Sequence, residues 1–117
     1  MLSTNLPSPK RGEIWLVNFE PTVGAEIKKT RPAVVVSSDA VGRLPIKLIA
    51  PITDWQERYR RDIWHVRIDP DSFNGLAKAS AVDALQLRGV DLQRFVRKLG
   101  HVSSVVIEEI AAVVEYQ

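Results

Sequence analysis

Between Arg11 and Asp39 the chain reads RGEIWLVNFEPTVGAEIKKTRPAVVVSSD, and this stretch constrains the fold more than any other. Ile14, Leu16 and Phe19 are spaced through a first strand-like run over Glu13 to Phe19. A second run, Ala33 to Ser37, is β-branched and closes on the turn formers Ser37, Ser38 and Asp39. The connection Glu20 to Thr30 is long for a hairpin and polar, which in a compact domain points to function.

That connection and the start of the second run hold Gly24, Glu26, Lys28, Lys29 and Arg31. Gly24 lets the backbone approach a ligand closely. Pro32 pushes Arg31 into an extended conformation, so the direction of its guanidinium is set by the chain, as bidentate phosphate recognition requires. Glu26 and Arg31 read either as an exposed ion pair worth under about 1 kcal/mol or as a phosphate-handling pair.

Short strands continue downstream. Ile46 to Thr53 reads as a third strand, with Pro51 implying an edge or bulge, and Trp64 to Ile68 as a fourth with Trp64, Val66 and Ile68 on one face. Asp69 to Gly75 is turn-rich. Ser80 to Leu87 reads as a fifth strand, followed by a helical turn around Asp91 to Phe95 and a short piece over Val96 to Leu99. At the end, Val106, Ile110, Val113 and Val114 share a helical face, Glu108 and Glu109 sit early in the helix, and Ser103 or Ser104 can cap it. Residues 1–10 read as a flexible leader and 11–117 as one domain. Many short strands and one closing helix predict a mainly β, α+β architecture in which a twisted antiparallel sheet curls into a barrel.

Composition narrows the chemistry. The 117 residues are 45% hydrophobic, enough for one compact core. With no cysteine and two histidines, disulfide frameworks and thiolate metal sites are excluded and histidine metal sites are improbable. No apolar stretch approaches the roughly 20 residues that span a bilayer, and no signal-peptide core is present, so the expected compartment is the cytoplasm. Net charge is only +2, yet cations cluster at Lys28, Lys29 and Arg31, at Arg58, Arg60 and Arg61, and at Arg94, Arg97 and Lys98, a placement suited to an anionic partner. No nucleophile elbow, phosphate-binding glycine loop or carboxylate metal cluster occurs.

Trp55 to Arg61, WQERYRR, interleaves two aromatics with three arginines, so bases can stack on Trp55 or Tyr59 while Arg58 and its neighbours meet phosphates of single-stranded nucleic acid. The alternative is that Trp55 plugs the core. Thr53 is either a strand terminator or a hydroxyl donor aimed at the pocket of Arg31. Trp15 and Trp64 are expected in a core or subunit interface, and His65, opposite Trp64, is expected to be exposed.

Taken together, the Arg11 to Asp39 pattern, the PIT of Pro51 to Thr53, the KAS of Lys78 to Ser80, the QLRGVD of Gln86 to Asp91 and the KLG of Lys98 to Gly100 closely resemble the MazF/PemK toxins of bacterial toxin–antitoxin modules. The resemblance covers nearly the whole chain after residue 10. It implies an SH3-like or CcdB-like barrel with a C-terminal helix, a homodimer, and a cofactor-free, metal-independent endoribonuclease that cuts single-stranded mRNA to 2′,3′-cyclic phosphate and 5′-hydroxyl ends. It also implies a cognate antitoxin with an acidic disordered tail, contact with DNA only through that antitoxin, and no membrane.

By the same resemblance, Arg31 and Thr53 match the catalytic set and Glu26 an acid that contributes. Glu26 is then the available base for the 2′-hydroxyl, Arg31 neutralises the phosphorane and Thr53 donates to a non-bridging oxygen. An arginine yields its proton reluctantly, so its electrostatic role is the safer assignment. Gln86 matches a position that reads bases and Ser80 a strand residue near the groove. Leu85 stands where many relatives have an acid, Ala25 where many have serine, and Asp83 is a candidate displaced carboxylate. The arginine position of the PemK branch looks like Ala81, which favours the arginine and threonine site of the MazF branch. Gly24, Lys28, Lys29, Trp55, Arg58, Tyr59, Ser80, Asp83 and Gln86 are the expected RNA contacts. Competing readings are a topoisomerase poison of the CcdB type on the same barrel and an inactive RNA-binding relative.

Overall fold

A computed structural model of the chain describes residues 7–19, 30–39 and 45–115. Among the described residues seven strands and one helix follow in order: β1 (Glu13–Asn18), β2 (Thr30–Val35), β3 (Ile46–Asp54), β4 (His65–Ile68), β5 (Ser80–Asp83), β6 (Arg88–Asp91), β7 (Phe95–His101) and α1 (Ser104–Glu115). Short 3-10 turns occupy Glu57–Arg61 and Leu92–Arg94. The strands pair antiparallel in the order β4-β5-β3-β2-β1-β7, with β6 also on β3. The expected twisted antiparallel sheet with a C-terminal helix is the architecture observed, its path left open between β4 and β7.

β3 is the hub and not an edge. Its first residues pair with β6, Ile49 to Pro51 pair with β2, and Ile52 to Asp54 pair with β5. Pro51 falls where β3 leaves β2 and takes up β5, so the missing amide proton sits at a change of partner, where a ladder tolerates it best.

The valine run of β2 explains the two cores. Successive strand residues point to opposite faces, and here both faces are covered. Val34 and Val36 join Ile14, Ala50, Ile52, Val66, Ile68, Val82, Val102 and Ile110 beneath α1. Ala33 and Val35 join Val17, Ile49, Val90 and Phe95 on the other side. Trp15 packs there, edge-on to Phe95 at 5.8 Å, as a core role for it requires.

α1 forms as its spacing predicts. Ser103 caps it, its hydroxyl accepting the Val106 N–H at 3.2 Å, and Ile110 is fully buried. The first turn carries no acid; Glu108 and Glu109 lie beyond it.

Several boundaries differ from the sequence reading. β5 ends at Asp83 rather than Leu87, because the chain turns at Ala84 and Leu85. The segment Arg88–Asp91 is a strand, and β7 runs from Phe95 to His101 where only a short piece was expected. Trp64 precedes β4 and is 37% exposed, so it is not a core residue. Pro9 is fully buried and the Lys10 N–H donates to Glu13 at 2.9 Å, so the last residues assigned to the leader pack on the domain.

The loop between β4 and β5 holds itself together. Asn74, fully buried, donates from Nδ2 to the Asp69 carbonyl at 2.9 Å, while its Oδ1 accepts from Leu76 N–H. Asp71 accepts the N–H groups of Phe73 and Asn74. Gly100 lies so close to Phe73 and Asn74 that a Cβ there would collide with their backbone.

Candidate active site

Strand register assembles the site on the face opposite α1. Ala33 pairs with Pro51 at the end of the β2–β3 ladder, and Arg31 and Thr53, each two residues beyond on its own strand, line one cleft. Thr53 pairs with Ala81 on β5, and Ala81 with Arg67 on β4. One row along, Asp83 pairs with His65. Residues directly opposite share a face, so Arg31, Thr53, Asp83 and His65 project to the same side, away from the core that holds Ile52, Val82 and Val66.

Two adjoining clefts occupy this face. One, about 200 Å³, is lined by Arg31, Pro51, Ile52, Thr53, Tyr59, Asp83 and Gln86. The other, about 400 Å³, is lined by Arg58, Tyr59, Asp62, Trp64, His65, Asp83 and Gln86. Tyr59, Asp83 and Gln86 border both, so the two form one groove with the Arg31 and Thr53 pair at one end. Both of those side chains are exposed.

The 3-10 turn after β3 builds the wall of the groove from its own residues. Glu57 accepts from Trp55 Nε1 at 2.8 Å and from Arg60 Nε at 2.6 Å, and its carboxyl is held below the usual carboxylate range, chiefly by the Arg60 hydrogen bond. Trp55 meets Tyr59 edge-on at 5.7 Å, and Tyr59 stacks on His65 at 3.7 Å and 7°. Arg67 lies over Trp55 at 4.8 Å and Arg58 over Tyr59 at 5.5 Å.

His65 is fixed on its other edge as well. Asp62 accepts from the His65 backbone N–H at 2.9 Å, and its carboxylate meets His65 Nδ1 at 2.8 Å. Burial works to raise the Asp62 carboxyl, but hydrogen bonds from the His65 side chain and backbone outweigh it and hold the group below its ordinary value. The imidazole Nε2 lies 3.8 Å from Asp83 Oδ2, and the His65 side chain is 11% exposed.

Of the residues singled out in the sequence, Arg31, Thr53, Arg58, Tyr59, Asp83 and Gln86 are brought together in the groove. Gly24, Glu26, Lys28 and Lys29 lie outside the described residues. One RNA-contact assignment does not fit the structure: Ser80 is buried, its hydroxyl donating to the Lys78 carbonyl at 2.8 Å. Trp55 is half-buried behind Tyr59, with Arg67 over its ring. Tyr59 borders the groove with its ring stacked on His65 and Arg58 5.5 Å from its centroid.

The sequence reading missed Asp62, Trp64 and the burial of His65. The available signal was the spacing of Asp62 and His65, three apart as in a turn-closing pair. Among the described residues no group of His, Asp or Glu side chains is arranged to hold a metal ion, and no helix is long and apolar enough to cross a membrane.

Comparison with known proteins shows the family. A family model described as PemK-like, MazF-like toxin of type II toxin–antitoxin system matches residues 10–117. Endoribonuclease PemK of Escherichia coli is 32% identical over 86% of this chain and 75% of its own length. Endoribonuclease EndoA of Bacillus subtilis is 28% identical over 86% of each chain. Among solved structures, a mycobacterial endoribonuclease in complex with its cognate antitoxin superposes with a TM-score of 0.72 at 16% identity, covering 93% of both chains. A MazE-MazF structure from Deinococcus radiodurans gives 0.68 at 23% identity, covering 92% of this chain and 94% of that one. The chain belongs to the PemK-like, MazF-like toxin family of type II toxin–antitoxin systems.

Proposed function

We propose that this chain is an endoribonuclease toxin that cleaves single-stranded RNA in the groove between Arg31 and His65, by attack of a ribose 2′-hydroxyl on the adjacent phosphate. The observation that carries the reading is the convergence of Arg31 and Thr53, from β2 and β3, on one open cleft. A guanidinium and a hydroxyl at a shared edge supply charge and a donor where a phosphorane develops negative charge, and preorganised donors of this kind commonly supply the largest part of catalysis. Glu26 is the proposed base for the 2′-hydroxyl. Curated relatives named as endoribonucleases support the activity and do not favour a topoisomerase poison.

The reaction so drawn leaves a 2′,3′-cyclic phosphate and a 5′-hydroxyl without a metal ion. A cognate antitoxin, a homodimeric state and a cytoplasmic location belong to the same proposal; solved toxin–antitoxin complexes with this fold support the antitoxin. The test is incubation of the purified protein with a long single-stranded RNA in EDTA, followed by ligation that captures 5′-hydroxyl ends. Discrete 5′-hydroxyl ends are expected. Ends carrying 5′-phosphate, or cleavage only on adding a divalent cation, overturn the chemistry.

A further inference from the structure

The loop between β4 and β5 contributes no residue to either cleft, and it carries a reactive pair of its own. The chain holds three asparagines, Asn5, Asn18 and Asn74, and Asn74 alone is followed by glycine. Leucine follows Asn5 and phenylalanine follows Asn18, side chains that crowd the amide nitrogen beside them. Gly75 has no side chain, so its nitrogen meets the preceding asparagine with the least obstruction and the most backbone freedom.

The reaction open to such a pair balances with water alone. The Gly75 nitrogen loses its proton and attacks Asn74 Cγ, the Cγ–Nδ2 bond breaks, and ammonia leaves a five-membered succinimide behind. Water then opens the ring. Hydrolysis at Cγ restores the main chain with aspartate, whereas hydrolysis at the old backbone carbonyl leaves isoaspartate, whose main chain runs through the side-chain carboxyl and is one methylene longer.

The fold holds Asn74 against this chemistry. The residue is fully buried, its Nδ2 donates to the Asp69 carbonyl at 2.9 Å, and its Oδ1 accepts from the Leu76 N–H at 3.0 Å and the Asp71 N–H at 3.3 Å. Both ends of the amide are fixed. Turning Cγ onto the Gly75 nitrogen and releasing Nδ2 breaks these bonds and leaves buried polar groups unpaired.

Neither product fits the loop. An aspartate at position 74 sets a carboxylate oxygen against the Asp69 carbonyl, two acceptors with no proton between them, where no solvent reaches. Isoaspartate needs room for one more main-chain carbon. On the side of β7 there is none: the Phe73 carbonyl accepts the His101 N–H at 2.9 Å, the Phe73 and Asn74 backbone closes on Gly100, and Gly75, at φ 68°, closes on the Leu99 carbonyl.

We propose that the Asn74 and Gly75 pair is a modification site latched by the fold. The amide survives while the loop is closed, deamidates once the chain unfolds, and the modified chain is then barred from regaining the native loop. Unfolding becomes a one-way loss, the condition in which the lifetime of a protein is set by how fast it opens. This holds whether or not the chain cuts RNA.

Peptide mapping of the wild-type chain tests both halves. Trypsin releases residues 68–78 as a peptide whose single amide side chain is Asn74, and residues 12–28 as one whose single amide is Asn18, so conversion of amide to acid is read by mass at each. The protein is aged at neutral pH in buffer and in guanidinium chloride. Asn74 is expected to deamidate at least about tenfold more slowly in the folded protein, because reaction through an open form follows the population of that form. In the unfolded chain it is expected to outpace Asn18. Equal Asn74 rates with and without denaturant, or an Asn18 that keeps pace in the unfolded chain, overturn the site. Chains aged in denaturant are then refolded by dilution, and the folded and aggregated fractions are separated by gel filtration and mapped again. The deamidated peptide is expected to be lost from the folded fraction and to collect in the aggregate. An equal share in both overturns the latch.

Discussion

The Tyr59 ring lies parallel to the His65 imidazole, 3.7 Å away and 7° from coplanar, and this contact joins the 3-10 turn after β3 to the first residue of β4. It gives the groove a wall made of one continuous aromatic series, Trp55 to Tyr59 to His65. Removing the ring in Tyr59→Ala is expected to lower the unfolding free energy by roughly 0.5–1.5 kcal/mol from the lost aromatic contact alone, while Tyr59→Phe retains it. Chemical denaturation of the two variants checks this. A Tyr59→Ala protein as stable as wild type would mean the stack carries no weight.

The helix is fastened around one fully buried side chain. Ile110 of α1 sits among Ile14, Val34, Ile52 and Val66, with Val106, Ile107, Val113 and Val114 partly buried against the same core. Ile110→Ala is expected to cost about 2–5 kcal/mol through lost burial and the cavity left behind, measured by urea unfolding. Val105→Ala, on the exposed side of the same helix at 67% exposure, is expected to change stability by less than about 0.5 kcal/mol.

Acid should loosen the fold from a defined place. Burial works to raise the Glu13 carboxyl, but hydrogen bonds from Trp15 and the Lys10 N–H, with Lys98 beside it at 3.0 Å, hold it below its ordinary value. Asp62 is lowered similarly. A carboxyl depressed on folding contributes stability above its unfolded value, near 4, that is lost as pH falls through the folded one. Stability is therefore expected to decline below about pH 4, and Glu13→Gln to flatten that decline while lowering stability at neutral pH. Parallel acid titrations of wild type and variant would contradict this assignment.

Gly100 gives a sharper structural test. A Cβ at that position would meet the carbonyl oxygen of Phe73 and the backbone of Asn74, neither of which can yield cheaply. Gly100→Ala is expected to destabilise the protein by more than about 2 kcal/mol, as a backbone clash should, whereas Gly89→Ala, which meets one methyl, Ile46 Cγ2, at 3.0 Å and no backbone, should cost less. Thermal unfolding of both distinguishes them.

Particular elements show what the sequence can convey. β2 was legible because its valine run is buried on both faces, and α1 because Val106, Ile110, Val113 and Val114 repeat with helical spacing. β6 was not, since Val90 is its single buried residue and pairing with β3, rather than local pattern, makes it a strand. In the site, Pro32 and the apolar run before Thr53 marked Arg31 and Thr53 only as candidates; the resemblance matched both to a catalytic set, and the fold brings both to one cleft. His65 was misjudged for a physical reason: alternation correctly put it on the face away from the core, but that face is covered by Tyr59 and Asp62, contacts that no local pattern encodes. For Trp64 only the core half of the expectation fails, because β4 starts at His65 and leaves the indole 37% exposed.

The central claim is that Arg31 stabilises a developing negative charge on phosphorus. Its most direct measurement is the single-turnover cleavage rate, in EDTA, of one RNA carrying a mapped site, for wild type, Arg31→Ala and Thr53→Ala, each shown to be folded by circular dichroism. A drop of about a hundredfold or more for Arg31→Ala is predicted, with a smaller but clear loss for Thr53→Ala. Cleavage by Arg31→Ala at the wild-type rate, or intact RNA with the folded wild-type protein, would contradict it.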